Sequence, residues 1–118
     1  MGLELATHRR GGLAVVMLSG ELDIYTVPVF RRGVDEAGCT GVVLDMHEVK
    51  VLDSSGLGAI ISLKGRLPTE GRGVAIVGAT PQVLRVFDIT GTRDSFAFAD
   101  DLESLVDGMK ADPDARGN

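Results

Sequence analysis

Leu3 and Leu5 bracket Glu4, and the polar run His8-Arg9-Arg10 leads into Gly11-Gly12. Alternation that closes on a glycine pair predicts a strand and a tight turn. Residues 13–18 form a continuous apolar run, as expected of a buried strand, so the chain opens with a hairpin. Residues 19–23, Ser-Gly-Glu-Leu-Asp, read as a loop. Thr26 then caps a helix, with Pro28 in its first turn and Val27, Phe30, Val34 and Ala37 on one face, ending at Gly38. Residues 42–44 read as a central strand that passes through Asp45-Met46 into another loop. Asp53 and Ser54 both suit a helix cap, and Leu57, Ile60, Ile61 and Leu67 supply the apolar side of a second helix. Residues 68–73 carry turn chemistry, 74–77 a second buried strand, and Thr80-Pro81 the start of a third helix lined by Val83, Leu84 and Phe87. Residues 96–98 give a short last strand. Asp100-Asp101 place negative charge at the start of a fourth helix, whose buried face is Leu102, Leu105, Val106 and Met109.

The element order is ββαβαβαβα. Strands alternating with helices predict an α/β fold with a mixed, mostly parallel sheet, the first strand being added antiparallel by the hairpin. No repeat or linker divides the chain, so one domain over residues 1–110 is expected, followed by a polar, disordered tail at 111–118.

Composition narrows the function. Of 118 residues, 44% are apolar, enough for a core without staples. The formal net charge of -5 and the scattered aromatics argue against nucleic-acid binding, which needs a basic face or a stacking platform. No basic amphipathic stretch, spanning run or signal-peptide profile points to a membrane or to export. The single cysteine, Cys39, cannot form an internal disulfide and reads as a small turn residue, so a cytoplasmic location is expected.

In such a sheet functional groups gather in loops at the carboxyl ends of the strands. The loops holding Gly20-Glu21-Leu22-Asp23 and residues 51–58 are the two that stand out, and if their strands are neighbours, Asp23, Asp53 and Ser54 lie close together. A helix start presents unpaired N–H groups and partial positive charge, so a serine there is exposed and a phosphate on it is compatible with the fold. Gly56 and Gly58 either ease internal packing or admit a partner's backbone. Enzyme readings find no support: a nucleophile elbow needs glycine two residues to either side of the serine, but Ser54 has Leu52 on one side and Ser55 has Asp53 and Leu57; His8 is not placed as a base, and His47, though it could approach the loop, reads as a solvated loop histidine. No phosphate loop, zinc spacing or calcium loop occurs, so neither cofactor nor metal is expected. Residues 42–46 are superficially similar to a response-regulator receiver domain with Asp45 as acceptor. The adjacent acids and late lysine that such a domain needs are missing, and Asp45 reads as a strand-end carboxylate.

At Asp53-Ser54-Ser55-Gly56-Leu57-Gly58 the chain resembles the anti-sigma factor antagonists, whose fold is the STAS domain. Other stretches resemble the same family in the same order: residues 18–23 followed by Thr26, residues 43–45 with Leu52-Asp53, and residues 80–88 with Gly91. The resemblance spans residues 3 to about 110 and implies a partner switch. The unphosphorylated antagonist binds an anti-sigma factor that is itself a serine kinase, which frees a sigma factor; the kinase then phosphorylates the antagonist, and a serine phosphatase resets it. By family position the phosphorylated residue is Ser54, and Ser55 stands where relatives carry Ser or Thr. The implied contact surface is Glu21, Asp23, Asp53, Ser54, Ser55, Gly56, Leu57 and Gly58. Two departures occur: Gly65 is expected to interrupt the motif helix, and Val27-Pro28 replaces a small residue after the threonine position. The alternative is a STAS-type interaction subunit of a transporter or signalling complex, with no phospho-switch.

Overall fold

The computed structural model describes residues 2–37, 41–67 and 73–111. Five strands, β1 (Leu3–Arg10), β2 (Leu13–Leu22), β3 (Gly41–Leu52), β4 (Gly73–Val77) and β5 (Ala97–Ala99), form one sheet in the order β1-β2-β3-β4-β5. β1 and β2 are the antiparallel hairpin, and every later pairing is parallel. The helices are α1 (Val27–Ala37), α2 (Ser54–Arg66), α3 (Pro81–Thr90) and α4 (Leu102–Ala111), with a single 3-10 turn at Arg93–Ser95. The predicted order and mixed sheet are those observed. Gly38, Cys39, residues 68–72, the Met109 side chain and residues 112–118 lie outside the described residues.

Strands with apolar runs are buried on both faces, and here each face has its own cover. Ala14, Val16, Val42, Leu44, Val74 and Ile76 point to one side, where α1, α2 and α3 close the main core with Phe30, Ile60 and Phe87. Phe87 meets Phe96 and Phe98 edge-on, with ring centroids 5.6 and 5.1 Å away. Val15, Val43 and Val77 point to the other side, where Leu105 of α4 covers them. Among the described residues α4 is the helix on this second side, and it leaves part of the sheet bare at Met17. An open groove of about 550 Å³ there includes Glu4, Ala6, Met17, Asp45, His47 and Glu48 among its walls.

Two strands are longer than the apolar pattern predicts. β2 does not stop at Leu18 but runs to Leu22, so Gly20 and Glu21 belong to a strand rather than a loop. β3 runs beyond Met46 to Leu52, which places Asp45 within the strand and not at its end. The physical reason is a pair of register shifts between β2 and β3, one across Met17/Ser19 and one across Gly20/Glu21. Each shift lets β3 carry an extra residue and breaks the two-residue alternation. The buried positions of this stretch are accordingly Met46, Val49 and Leu52, one in three. Gly20 itself has φ +116°, and a Cβ there would stand 2.1 Å from the Gly2 carbonyl oxygen.

α2 also departs from expectation. Gly65 does not interrupt it, because the helix continues to Arg66. Its buried stripe is Gly56, Leu57, Ala59, Ile60 and Leu63, and Ile61, one step round from Ile60, turns outward.

Candidate functional site

Leu22 pairs with Leu52 in parallel register, so the loops after β2 and β3 leave the sheet side by side. Asp53 joins them. It is the cap of α2, in extended conformation, and its Oδ1 accepts from the Gly56 amide at 2.9 Å. Its Oδ2 accepts from the Ile24 amide at 3.3 Å, and its own amide donates to the Leu22 carbonyl at 3.3 Å. Of the two candidate caps, Asp53 is therefore the one that acts, and Ser54 is the first helical residue with its side chain exposed.

Asp23 organises the neighbouring loop. Its Oδ1 accepts from the amides of Tyr25 at 3.0 Å and Thr26 at 3.1 Å. Thr26, expected as a helix cap, turns its hydroxyl back into this loop. It donates to the Glu21 carbonyl at 2.8 Å and accepts from the Asp23 amide at 2.9 Å. That closed set of bonds explains how a buried threonine is tolerated here.

The expected proximity of Asp23, Asp53 and Ser54 is thus observed as one ledge at the carboxyl ends of β2 and β3. Within the expected contact surface, Ser54 and Gly58 are exposed, while Glu21, Asp23, Asp53 and Ser55 are half-buried. Gly56 and Leu57 are buried inside the chain and hold α2 against the sheet. The two glycines differ in kind. A Cβ on Gly56 would stand 2.4 Å from the Leu22 carbonyl oxygen, whereas one on Gly58 would meet nothing within 4 Å. Two exposed residues of the ledge, Ile24 and Tyr25, were not singled out by sequence reasoning. The signal was an apolar pair inside a segment otherwise read as turn.

Asp53→Ala removes the cap and the tie to Ile24 together. It should lower unfolding stability by about 1–2 kcal/mol in a urea titration. An unchanged midpoint would show that neither bond contributes.

His47 does not approach Ser54's ledge. It lies in the groove on the far side of the sheet, with Nδ1 2.6 Å from Asp45 Oδ1, and its ring fills the space where a Cβ on Gly78 would be. The hydrogen bond to Asp45 holds its pKa above the ordinary histidine value, helped by the Asp45 charge, the Asp100 backbone and the Asp101 charge. Asp45 therefore sits paired in mid-strand. Among the described residues no three His, Cys, Asp or Glu side chains form a group able to hold a metal, and no helix is long and apolar enough to cross a membrane.

A small α/β sheet that sets a bare serine at a helix start, tied by a capping carboxylate to a second loop, is the structural class defined here. The chain belongs to the STAS domain family, whose profile matches residues 4–105, and within it to the anti-sigma factor antagonists. It is 34% identical over 95 residues to the anti-sigma F factor antagonist of Paenibacillus polymyxa, covering 77% of this chain and 81% of that one. An anti-sigma factor antagonist from Mycobacterium paratuberculosis has the same fold, with a TM-score of 0.81 at 24% identity over 90% of this chain and 92% of the other. The Bacillus cell fate determinant SpoIIAA in its phosphorylated form superposes with a TM-score of 0.65 at 22% identity, over 88% of this chain and 97% of its own.

Proposed function

We propose that this protein is a cytoplasmic, non-enzymatic partner switch: unphosphorylated, it binds an anti-sigma factor that is a serine kinase, and phosphorylation of Ser54 releases it until a serine phosphatase resets it. The observation that carries the reading is Ser54 itself, exposed as the first residue of α2 while Asp53 performs the capping that a serine there could otherwise have done. Among the described residues its hydroxyl makes no hydrogen bond that a kinase would have to disrupt. Gly58 supports the same reading. Glycine inside a helix costs about 1 kcal/mol relative to alanine, and among the described residues nothing stands within 4 Å of where a Cβ on Gly58 would be. Its bare backbone lets a partner surface approach closely. The names of the relatives supply the partner class, and SpoIIAA supplies a precedent for phosphorylation on this fold.

Immobilised wild-type protein, exposed to a lysate of its source organism, should capture an anti-sigma factor with an ATP-binding serine-kinase domain, identified by mass spectrometry. With that kinase and ATP, an acid-stable phosphate should form on the wild type and not on Ser54→Ala. An acid-labile phosphate, or a phosphate that persists in Ser54→Ala, would overturn the assignment.

A further inference from the structure

Seven large apolar side chains stand exposed among the described residues, and two of them, Ile24 at 61% and Tyr25 at 86%, are consecutive in the loop that Asp53 ties to the start of α2. Exposed apolar residues in a loose loop would mean little. This loop is not loose, for each amide from residue 23 to 26 is bonded: Asp23 to the Thr26 hydroxyl, Ile24 to Asp53, and Tyr25 and Thr26 to the Asp23 carboxylate. The carboxylates of Asp23 and Asp53 are therefore engaged with backbone amides of their own chain. What the ledge offers outward is an isoleucine, a tyrosine ring, the Ser54 hydroxyl and the bare backbone of Gly58. That is a preordered surface with an apolar patch at Ile24 and Tyr25 beside the half-buried carboxylates of Glu21, Asp23 and Asp53. Such a surface binds with little ordering cost, and aromatic residues of this kind supply a large share of docking energy.

We infer that Ile24 and Tyr25 are the apolar anchor on which the anti-sigma factor seats itself, with Tyr25 setting the strength of docking and Ser54 setting whether it occurs. This rests on the function proposed above. The occupant is argued from continuity: the two bonds of Asp53 tie the loop that carries Ile24 and Tyr25 to the helix start that carries Ser54, so the protein that docks over Ser54 is the partner assigned to the anchor. The partner face it fits is an apolar cleft for the Tyr25 ring bordered by an uncharged floor over Ser54. A phosphate on Ser54 then brings a further negative charge into the contact beside the Asp53 carboxylate, where it must shed water, which is why the same surface can be turned off.

The test measures the dissociation constant of the captured anti-sigma kinase by calorimetry, without ATP, for wild type, Tyr25→Ala, Ile24→Ala, Tyr25→Phe, Ser54→Asp and Ile89→Ala. Ile89 is the control: it is 73% exposed, but it lies near the far end of α3. Tyr25→Ala should weaken binding at least about tenfold, Ile24→Ala less, and Tyr25→Phe and Ile89→Ala little, all with unchanged thermal unfolding. If Tyr25→Ala binds as wild type while Ser54→Asp does not, the anchor is wrong and the switch stands. If Tyr25→Ala is weak but Ser54→Asp binds normally, the anchor stands and the switch is wrong. Failure of the wild type to bind any anti-sigma factor overturns both.

Discussion

Ser54→Asp is expected to fold as the wild type does and to bind the anti-sigma factor at least about a hundredfold more weakly. The two halves of that expectation have separate causes. Ser54 is exposed and makes no cap bond, so the fold loses nothing when it is replaced. A carboxylate in the first turn of α2 is favoured by the helix dipole, by about 0.3–1 kcal/mol. Docking is another matter, because a charge closed beneath a partner must shed water without a counter-charge to receive it. Tenfold in affinity corresponds to about 1.4 kcal/mol, and an uncompensated buried charge exceeds twice that. A phosphate, at about -1.5 to -2 charge, should act more strongly than the aspartate. Circular dichroism with calorimetric titration checks both halves. An unfolded variant, or one that binds as wild type, would remove the charge as the basis of switching.

Gly56→Ala should destabilise the protein by about 2–3 kcal/mol, although alanine is the better helix former by about 1 kcal/mol. The added methyl would stand 2.4 Å from the Leu22 carbonyl oxygen and 2.9 Å from both Leu22 Cγ and Leu52 Cδ1. The carbonyl belongs to the backbone of β2 and cannot swing aside, so α2 must lift from the strand end. Lifting it also strains the bond from the Asp53 amide to that same carbonyl. Gly58→Ala, two residues on, meets open space and should stabilise by up to about 1 kcal/mol. Urea unfolding of the pair separates the effects. Equal and favourable shifts would mean that α2 is not pinned at Gly56.

Much of this architecture was legible from the chain. The continuous apolar runs at 13–18 and 74–77 marked largely buried strands, Met17 apart, and Thr80-Pro81 marked a helix start that the structure caps as expected, with the Thr80 hydroxyl accepting from the Val83 amide. The ends of β2 and β3 were not legible, because register shifts replace alternation with burial at every third residue over 46–52. Ser54 and Asp53 were both visible as cap residues, but which one caps depends on where the strand ends. The tie from Asp53 to Ile24 is a contact between loops 29 residues apart, and no local pattern encodes it. Nor could spacing separate Gly56 from Gly58. One faces the strand end and the other faces water, and that distinction exists only once α2 is docked.

The capping bond of Asp53 bears on reversibility. A phosphate at Ser54 would find the Gly56 amide already taken at 2.9 Å by the neighbouring carboxylate, whose charge repels it. It could not take the capping position that a free anion would occupy at an uncapped helix start. It would stand out in water, open to hydrolysis by an enzyme that needs no help from local unfolding. On the function proposed above, the fold then leaves the lifetime of the modified state to the phosphatase.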